Sequence, residues 1–477
     1  MNLIQGIKDF RRLNKDMYRL SGSEIRKLQI QQIFEMLSFS LAKSSFYRDL
    51  YNINSEQELE GFFGIKTNVM KGDFSNSPLI DTNVMMDNFA KLPVINKQIM
   101  MDNFDGLNTC GLKKDEVMTF ALEKEFSGDY TGYYKDQFVV GLSSGTSGNK
   151  GIYITPKELT ERLPFVFLAR GGIPMKCLPF RILFLLRVFS QGFEDINAPL
   201  IDLTYKSTMT PPQDLIDIIN DKKINIIMAP PSMLRVLMEH AGQIKPGIKM
   251  IVSYAEVLEK EEKSRISSIF KSPVNEIYQA SEGQIGSTCK CGSLHINEDL
   301  VFVELFDNDG NTVDKPGGVA SKMLVTNLIN NAQPLIRYEM NDVIVLGQKC
   351  KCGSSFRVIE KILGRNDDIL VLKDVNGAAR NVFPDLFARW IITTDDRIRE
   401  FKVVQNSYDE LEITVDLFCS KDSDRCDDQE IIIGKLRQRI EDELQKYEIK
   451  CNLTIVNQKI PLPIEKSKFK RFSNQKH

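Results

Sequence analysis

The sequence predicts an α/β protein. A large N-terminal domain of mostly parallel sheets plus a small barrel-like part is followed by a small α+β domain. Three observations carry this. Between 137 and 280, short apolar runs alternate with helical segments, the pattern of parallel sheet covered by helices. Between 300 and 346 the runs close up as LVFVELF, KMLVTNL, PLIRYE and DVIVLG, with DNDG as a turn, which reads as antiparallel sheet or a small barrel. After GRNDD (364–368) the texture becomes strands around one helix. A boundary near Gly364 follows, separating 1–364 from 365–477.

The elements run in this order. The chain is expected to be helical to about residue 105, with Ser21 and Ser23 as caps before EIRKLQIQQIFEMLSFSLAKS. TNVMKGDF, TNVMMDNF and KQIMMDNF (67–104) form a local repeat. It is too short for a solenoid and reads as duplicated surface structure. The α/β strands are QFVVGL, RILFLLRVF, INIIMAP, KMIVSYA and NEIYQA. The last region supplies EFKVVQNS, LEITVDLF and CNLTIV around the mixed-charge helix EIIIGKLRQRIEDELQKYEI.

Composition narrows function. Lys and Arg total 62 against 64 Asp and Glu, so no global basic footprint points to nucleic acid or membrane. The N-terminus lacks the apolar core of a signal peptide. The longest apolar stretch, ILFLLRVF, contains Arg187 and is too short for a bilayer. Nine cysteines in 477 residues do not form a disulfide framework. A cytoplasmic location is expected. Only His240, His295 and His477 are present, which disfavours hydrolases that need an imidazole base beside their nucleophile.

One loop carries chemistry. From Ser143 to Gly151 every residue except Asn149 and Lys150 is Ser, Thr or Gly. Backbone N–H groups of such a turn converge on anions, and Ser, Thr and Lys add donors and charge. The spacing is not that of a Walker A loop. By itself the loop reads equally as a phosphate cradle or as a flexible surface turn.

SYAEVL (253–258), YQASEG (278–283), RYEMND (337–342), GRNDDIL (364–370) and EKSKFKR (465–471) follow the loop in order. Together they resemble the adenylate-forming superfamily of acyl-CoA synthetases and related ligases. LPVINKQIMMDNF and CKCGSLHINEDL are similar to its phenylacetate–CoA ligase-like branch. The resemblance implies a fold of two domains, the smaller one mobile, and a two-step reaction. ATP activates a carboxylic acid, small and aromatic or otherwise apolar, to an acyl-adenylate. A thiol of CoA or of a carrier-protein phosphopantetheine then takes the acyl group; an amine acceptor is a further option. Adenylyl transfer rests on positioning and charge stabilisation, so no histidine base is needed.

The resemblance also implies roles. Ser143, Ser144, Gly145, Thr146, Ser147, Gly148 and Lys150 hold the β- and γ-phosphates. Ala255 and Glu256 line the adenine, and Tyr278 packs near nucleotide and acyl group with Ser281 beside it. Glu282 holds Mg²⁺, Asp342 accepts the ribose hydroxyls, and Lys468 meets the developing charge. Arg365 to Asp368, with Asp367 at its centre, forms the hinge, and Arg365 also belongs to the nucleotide site. This chain departs from the family pattern at Glu339, where many members have Arg, and at Ser467, where a Gly is usual.

CKCGS occurs at 289–293 and again at 350–354. Two such knuckles can bring four thiolates to one structural Zn²⁺. The resemblance implies instead the set Cys289, His295, Cys350 and Cys352, with Cys291 a competing ligand. The bland alternative is a group of reduced cysteines. Two other functional classes stand beside the enzyme. One is a non-catalytic, zinc-stabilised nucleotide-binding scaffold. The other is a zinc-knuckle nucleic-acid binder, disfavoured by the near-neutral charge. No membrane or nucleic-acid partner is expected, and a homodimer is left open.

Overall fold

Alternation along the strands explains the sheet. Ile182 and Phe184 enter one core with Ile226, Met228, Met250 and Val252. Leu183 and Leu185 enter the opposite core with Ile227, Ala229 and Ile251. Successive side chains point to opposite faces, so these strands are buried on both sides and pair in parallel. Helix Lys157–Arg170 contributes Phe167 to the first core. Helices Pro212–Asp221, Pro231–Glu239 and Lys260–Phe270 cover the second with Leu215, Leu234 and Ile266.

The computed structural model describes residues 3–64, 82–127, 132–142, 151–186, 196–198, 200–208, 210–365, 368–395, 397–418, 427–460 and 471–474. The largest sheet has 11 strands. Strands Ile201–Ser207, Phe180–Leu186, Ile226–Ala229, Met250–Tyr254 and Val274–Ala280 pair in parallel. From Gly283–Thr288 onward the pairing is antiparallel, through Leu294–Ile296, Val358–Arg365, Asp342–Leu346 and Val319–Ala320. The α/β expectation holds, with parallel pairing confined to one half of a mixed sheet, but QFVVGL is not among its strands: Phe138–Leu142 pairs antiparallel with Ile152–Pro156 in a separate hairpin.

Strands Val301–Phe306, Lys322–Asn327 and Tyr338–Met340 form a separate antiparallel sheet. Asp342–Leu346 leaves it to join the central sheet, so the described strands of the 300–346 region are shared between two sheets and no barrel closes. Asn341 is the crossover between them.

The helical start is present. Ser21 caps helix Gly22–Lys43 in a reciprocal box, Ser21 N–H to Glu24 at 2.8 Å and Glu24 N–H to Ser21 Oγ at 3.3 Å. In its described copies the repeat is not surface structure. The second lies on helix Thr82–Phe89 and buries Met85, Met86 and Phe89 in the main core, where the spacing i, i+1, i+4 makes one apolar helical face. The third buries Met100 and Met101 from helix Lys97–Asp102 and Phe104 from the next short helix, Phe104–Leu107. The first copy lies outside the described residues.

A distinct core holds Leu370, Phe387, Trp390, Phe401, Leu411, Leu436, Leu453 and Phe472. It lies between a four-stranded mixed sheet and helices Pro384–Ile392 and Asp427–Lys446. These are the strands around a helix expected of the C-terminal region. Among the described residues no helix is long and apolar enough to cross a membrane.

Candidate functional site

The sheet changes from parallel to antiparallel at a two-residue turn, Ser281–Glu282, between Val274–Ala280 and Gly283–Thr288. The carboxyl ends of the neighbouring parallel strands open on the same edge, at Ala229 and Tyr254. Open α/β sheets bind ligands outside the carboxyl ends of their strands, at such a switch.

Tyr153 donates its hydroxyl to Glu282 Oε1 at 2.8 Å, and its oxygen lies 3.1 Å from that of Tyr338. Tyr153 sits in strand Ile152–Pro156, paired antiparallel with Phe138–Leu142. The hairpin that carries the Ser/Gly-rich loop is therefore anchored beside Glu282. Asn327 Nδ2 donates to the Glu282 carbonyl at 2.9 Å. Burial raises the Glu282 carboxyl above its ordinary value, Tyr153 opposing and Asp342 adding to the effect. The Tyr153 phenol is pushed far up by burial and the facing Glu282.

Asp342 and Arg365 face each other across adjacent strands and pair at 3.6 Å. Burial opposes the Arg365 charge, but Asp342, Glu282 and Asp368 together raise its pKa. Tyr278, buried at its hydroxyl, is pushed well up by burial and by Asp342. Glu282, Asp342, Tyr278 and Arg365 thus act on one another although far apart in sequence. Glu339, a departure from the family pattern, pairs with Lys322 at 3.3 Å near the surface.

Two residues that sequence reasoning missed belong here. Tyr153 is one. Lys97 is the other: burial lowers its pKa, Glu282 raises it and Arg365 lowers it further. Its position has a local cause. Ile95 bridges Tyr338, and Arg337 holds the Ala90 and Leu92 carbonyls together with Glu304. The only sequence signal was the likeness of LPVINKQIMMDNF to the family.

Ala255 has φ +69, a left-handed conformation that is strained for a residue with a Cβ and common near functional sites. It turns the chain so that Glu256 accepts the Ser232 N–H at 3.0 Å and the Ser232 hydroxyl at 2.8 Å. Glu256 thereby binds the start of helix Pro231–Glu239. Ser281 is exposed. Ser143, Ser144, Gly145, Thr146, Ser147, Gly148, Lys150, Asp367 and Lys468 lie outside the described residues.

Cys289, His295, Cys350 and Cys352 form a second cluster, their ligand atoms all within 4.8 Å of one another. Cys289 Sγ lies 3.6 Å from Cys350 Sγ, and Cys352 Sγ lies 3.5 Å from His295 Nε2. With Zn–S bonds of about 2.3 Å, a tetrahedron has edges of roughly 3.7 Å, close to these two separations. His295 Nδ1 faces the Phe356 carbonyl at 2.9 Å, which leaves Nε2 toward the thiols. Backbone N–H groups of Cys291, Cys352 and Ser354 point at sulfur. Cys291 is exposed and outside the set.

No family model matches the chain. It is similar to two curated phenylacetate-coenzyme A ligases. That of Thermus thermophilus is 29% identical over 127 residues, 26% of this chain and 27% of the relative. That of Aromatoleum evansii is 29% identical over 205 residues, 39% of this chain and 43% of the relative. The chain thus matches less than half the length of either. A solved 2-hydroxyisobutyryl-CoA ligase, in the postadenylation state with 2-HIB-AMP, superposes with TM-score 0.67 at 15% identity, over 97% of this chain and 91% of that one. The resemblance to the adenylate-forming superfamily and its phenylacetate–CoA ligase-like branch holds, and the α/β fold is shared with an adenylate-forming enzyme.

Proposed function

We propose that the chain is an AMP-forming acid–thiol ligase. A carboxylate oxygen attacks the α-phosphorus of ATP; the new P–O bond forms as the bond to pyrophosphate breaks, giving an acyl-adenylate. The sulfur of CoA then attacks the acyl carbon, AMP leaves, and the thiol proton passes to solvent. A small aromatic or otherwise apolar acid fits best with the named relatives, both phenylacetate-coenzyme A ligases.

One observation carries this reading: Glu282, Tyr153, Tyr338, Asp342 and Arg365 meet at the sheet's switch point, beside the hairpin that carries the Ser/Gly-rich loop. Ser143 to Gly148 and Lys150 would hold the phosphates, Asp342 the ribose, and Ala255 the adenine edge. Glu256 would act there through its hold on Ser232. Glu282 would hold Mg²⁺, a hard cation suited to a carboxylate, which neutralises phosphate charge when bound. Tyr153 fixes that carboxylate's orientation. Lys468 would meet the charge that develops at the α-phosphate.

Cys289, His295, Cys350 and Cys352 would hold a structural Zn²⁺, four protein ligands leaving no open position. Such a clip ties the strand after Glu282 to the segment after Asp342. The described cysteines form no disulfide, which suits a reducing compartment, the cytoplasm. Residues 365–477 would form the mobile small domain, hinged at Arg365–Asp368.

The test is product analysis. The chain is incubated with Mg²⁺, ATP, CoA and a panel of aromatic and short branched acids. AMP and one acyl-CoA formed in equal amounts support the reading. ADP, or AMP without an acylated product, contradicts it.

A further inference from the structure

A buried ionic cluster lies outside the site described above. Arg235, on helix Pro231–Glu239, sends Nη1 to Glu262 on helix Lys260–Phe270 and Nη2 to Glu400 Oε2 at 2.5 Å. Glu400 lies on strand Ile398–Ser407 of the C-terminal sheet, and its side chain is only 7% exposed. Its other oxygen, Oε1, accepts from Arg471 Nε at 2.7 Å and from the Phe401 N–H at 3.1 Å. Arg471 also stacks over Phe401 and accepts the Val403 N–H through its carbonyl. One carboxylate is therefore shared between the flank of the large sheet and the chain just before its last described strand, Phe472–Asn474.

The arrangement of charge is informative. Removing one partner of a buried ion pair normally leaves an uncompensated charge and is strongly unfavourable. Here the four charges divide into two neutral pairs, Arg235 with Glu262 and Glu400 with Arg471. Only the Arg235–Glu400 bond joins the two halves within the cluster. Separation leaves Arg235 with Glu262, and with Glu256 nearby, and leaves Glu400 with Arg471, so neither arginine loses its carboxylate partner, which suits repeated docking and release. Among the described residues another ion pair along this boundary, Arg389 with Glu261, has its arginine 56% exposed and contributes little.

We propose that Glu400 is a positioning residue, the keeper of a reversible latch that docks the C-terminal unit onto helix Pro231–Glu239 for adenylate formation and releases it for acyl transfer. The latch rests on the ligase reading. It also acts close to the site, because Glu256 holds Ser232 in the first turn of the same helix.

The test uses the full chain and Glu400→Gln, which leaves Arg235 its Glu262 partner. The probes are phenylacetate with MgATP for pyrophosphate exchange, and synthetic phenylacetyl-adenylate with CoA for acyl transfer. Exchange is expected to fall on the order of tenfold or more, with acyl transfer within about twofold of wild type. Amide hydrogen exchange should quicken in 231–239 and 398–407, while emission of the single tryptophan, Trp390, buried in the C-terminal core, stays unchanged. Should Glu400→Gln not fold, Glu400→Asp keeps the charge beside Arg471, is too short to span both arginines, and should give the same split. Equal losses in both half-reactions, or no change in either, would overturn the latch. A wild-type chain inactive in both assays counts against the ligase reading instead; unchanged hydrogen exchange in the variant then overturns the latch on its own.

Discussion

Tyr153 and Glu282, 129 residues apart, share a 2.8 Å hydrogen bond that joins the hairpin of the Ser/Gly-rich loop to the turn where the central sheet changes direction. Under the proposed function Glu282 would hold a cation, and a carboxylate held at a fixed place needs such a partner. Hydrogen bonds to charged groups contribute about 1.5–3 kcal/mol. Tyr153→Phe removes the hydroxyl and keeps the ring. Titration calorimetry with MgATP should show affinity lower by roughly tenfold at an almost unchanged melting temperature. Unaltered affinity would detach the loop from Glu282.

Glu282 itself should trade stability for chemistry. Its folded-state pKa lies above the ordinary 4.5, through burial first. The stabilisation linked to the protonated form is therefore complete below the unfolded value and lost as pH rises through the folded one. Glu282→Gln mimics the protonated form. Its melting temperature should match wild type near pH 4 and exceed it at pH 7, while activity falls by roughly 10²–10³. A variant less stable than wild type at pH 7 would reverse the sign and refute the assignment.

The cysteine cluster makes a stoichiometric prediction. Elemental analysis of the purified chain should find one zinc per molecule, retained in Cys291→Ser and lost in Cys352→Ser. Removal by a chelator should lower the melting temperature and expose reactive thiols, since structural zinc contributes folding energy directly. A Cys291→Ser variant without zinc would put Cys291 back among the ligands.

Glu400 provides a pH test with the opposite sign. Burial alone would raise its carboxyl, but Arg235 and Arg471 outweigh it and hold it at about 2 against an ordinary 4.5. Its stabilisation is present above pH 4.5 and lost as pH falls through about 2. The melting-temperature gap between wild type and Glu400→Gln should be full at pH 6 and shrink between pH 4.5 and 2.5. A gap independent of pH would mean that the charge on Glu400 does not matter.

Much of this is legible without the structure. Strands such as RILFLL (181–186) and MIVSY (250–254) are nearly continuous apolar runs because both sheet faces are covered, and that pattern is visible in one dimension. Glu282, Asp342 and the cluster of Cys289, His295, Cys350 and Cys352 can be named as candidates because motifs mark them. Long-range pairing cannot. Nothing near Tyr153 announces a carboxylate 129 residues away, and nothing in the sequence announces that Arg337 holds the Ala90 and Leu92 carbonyls ahead of Lys97. Asp342–Leu346 looks like its neighbours in sequence yet changes sheet. The repeat misleads for a simpler reason: the two Met and the Phe of each described copy enter the core, and the Asp and Asn residues among them draw attention to the surface.

The most direct measurement is carboxylate-dependent exchange of labelled pyrophosphate into ATP, comparing the native chain with Lys468→Ala across a panel of aromatic and short apolar acids. Exchange with at least one acid, reduced by roughly 10²–10³ in the variant, is the expected result and establishes acyl-adenylate formation with Lys468 at its charge centre. Confirmed MgATP binding with no acid-dependent exchange, or exchange indifferent to Lys468, would contradict it and leave a nucleotide-binding scaffold in its place.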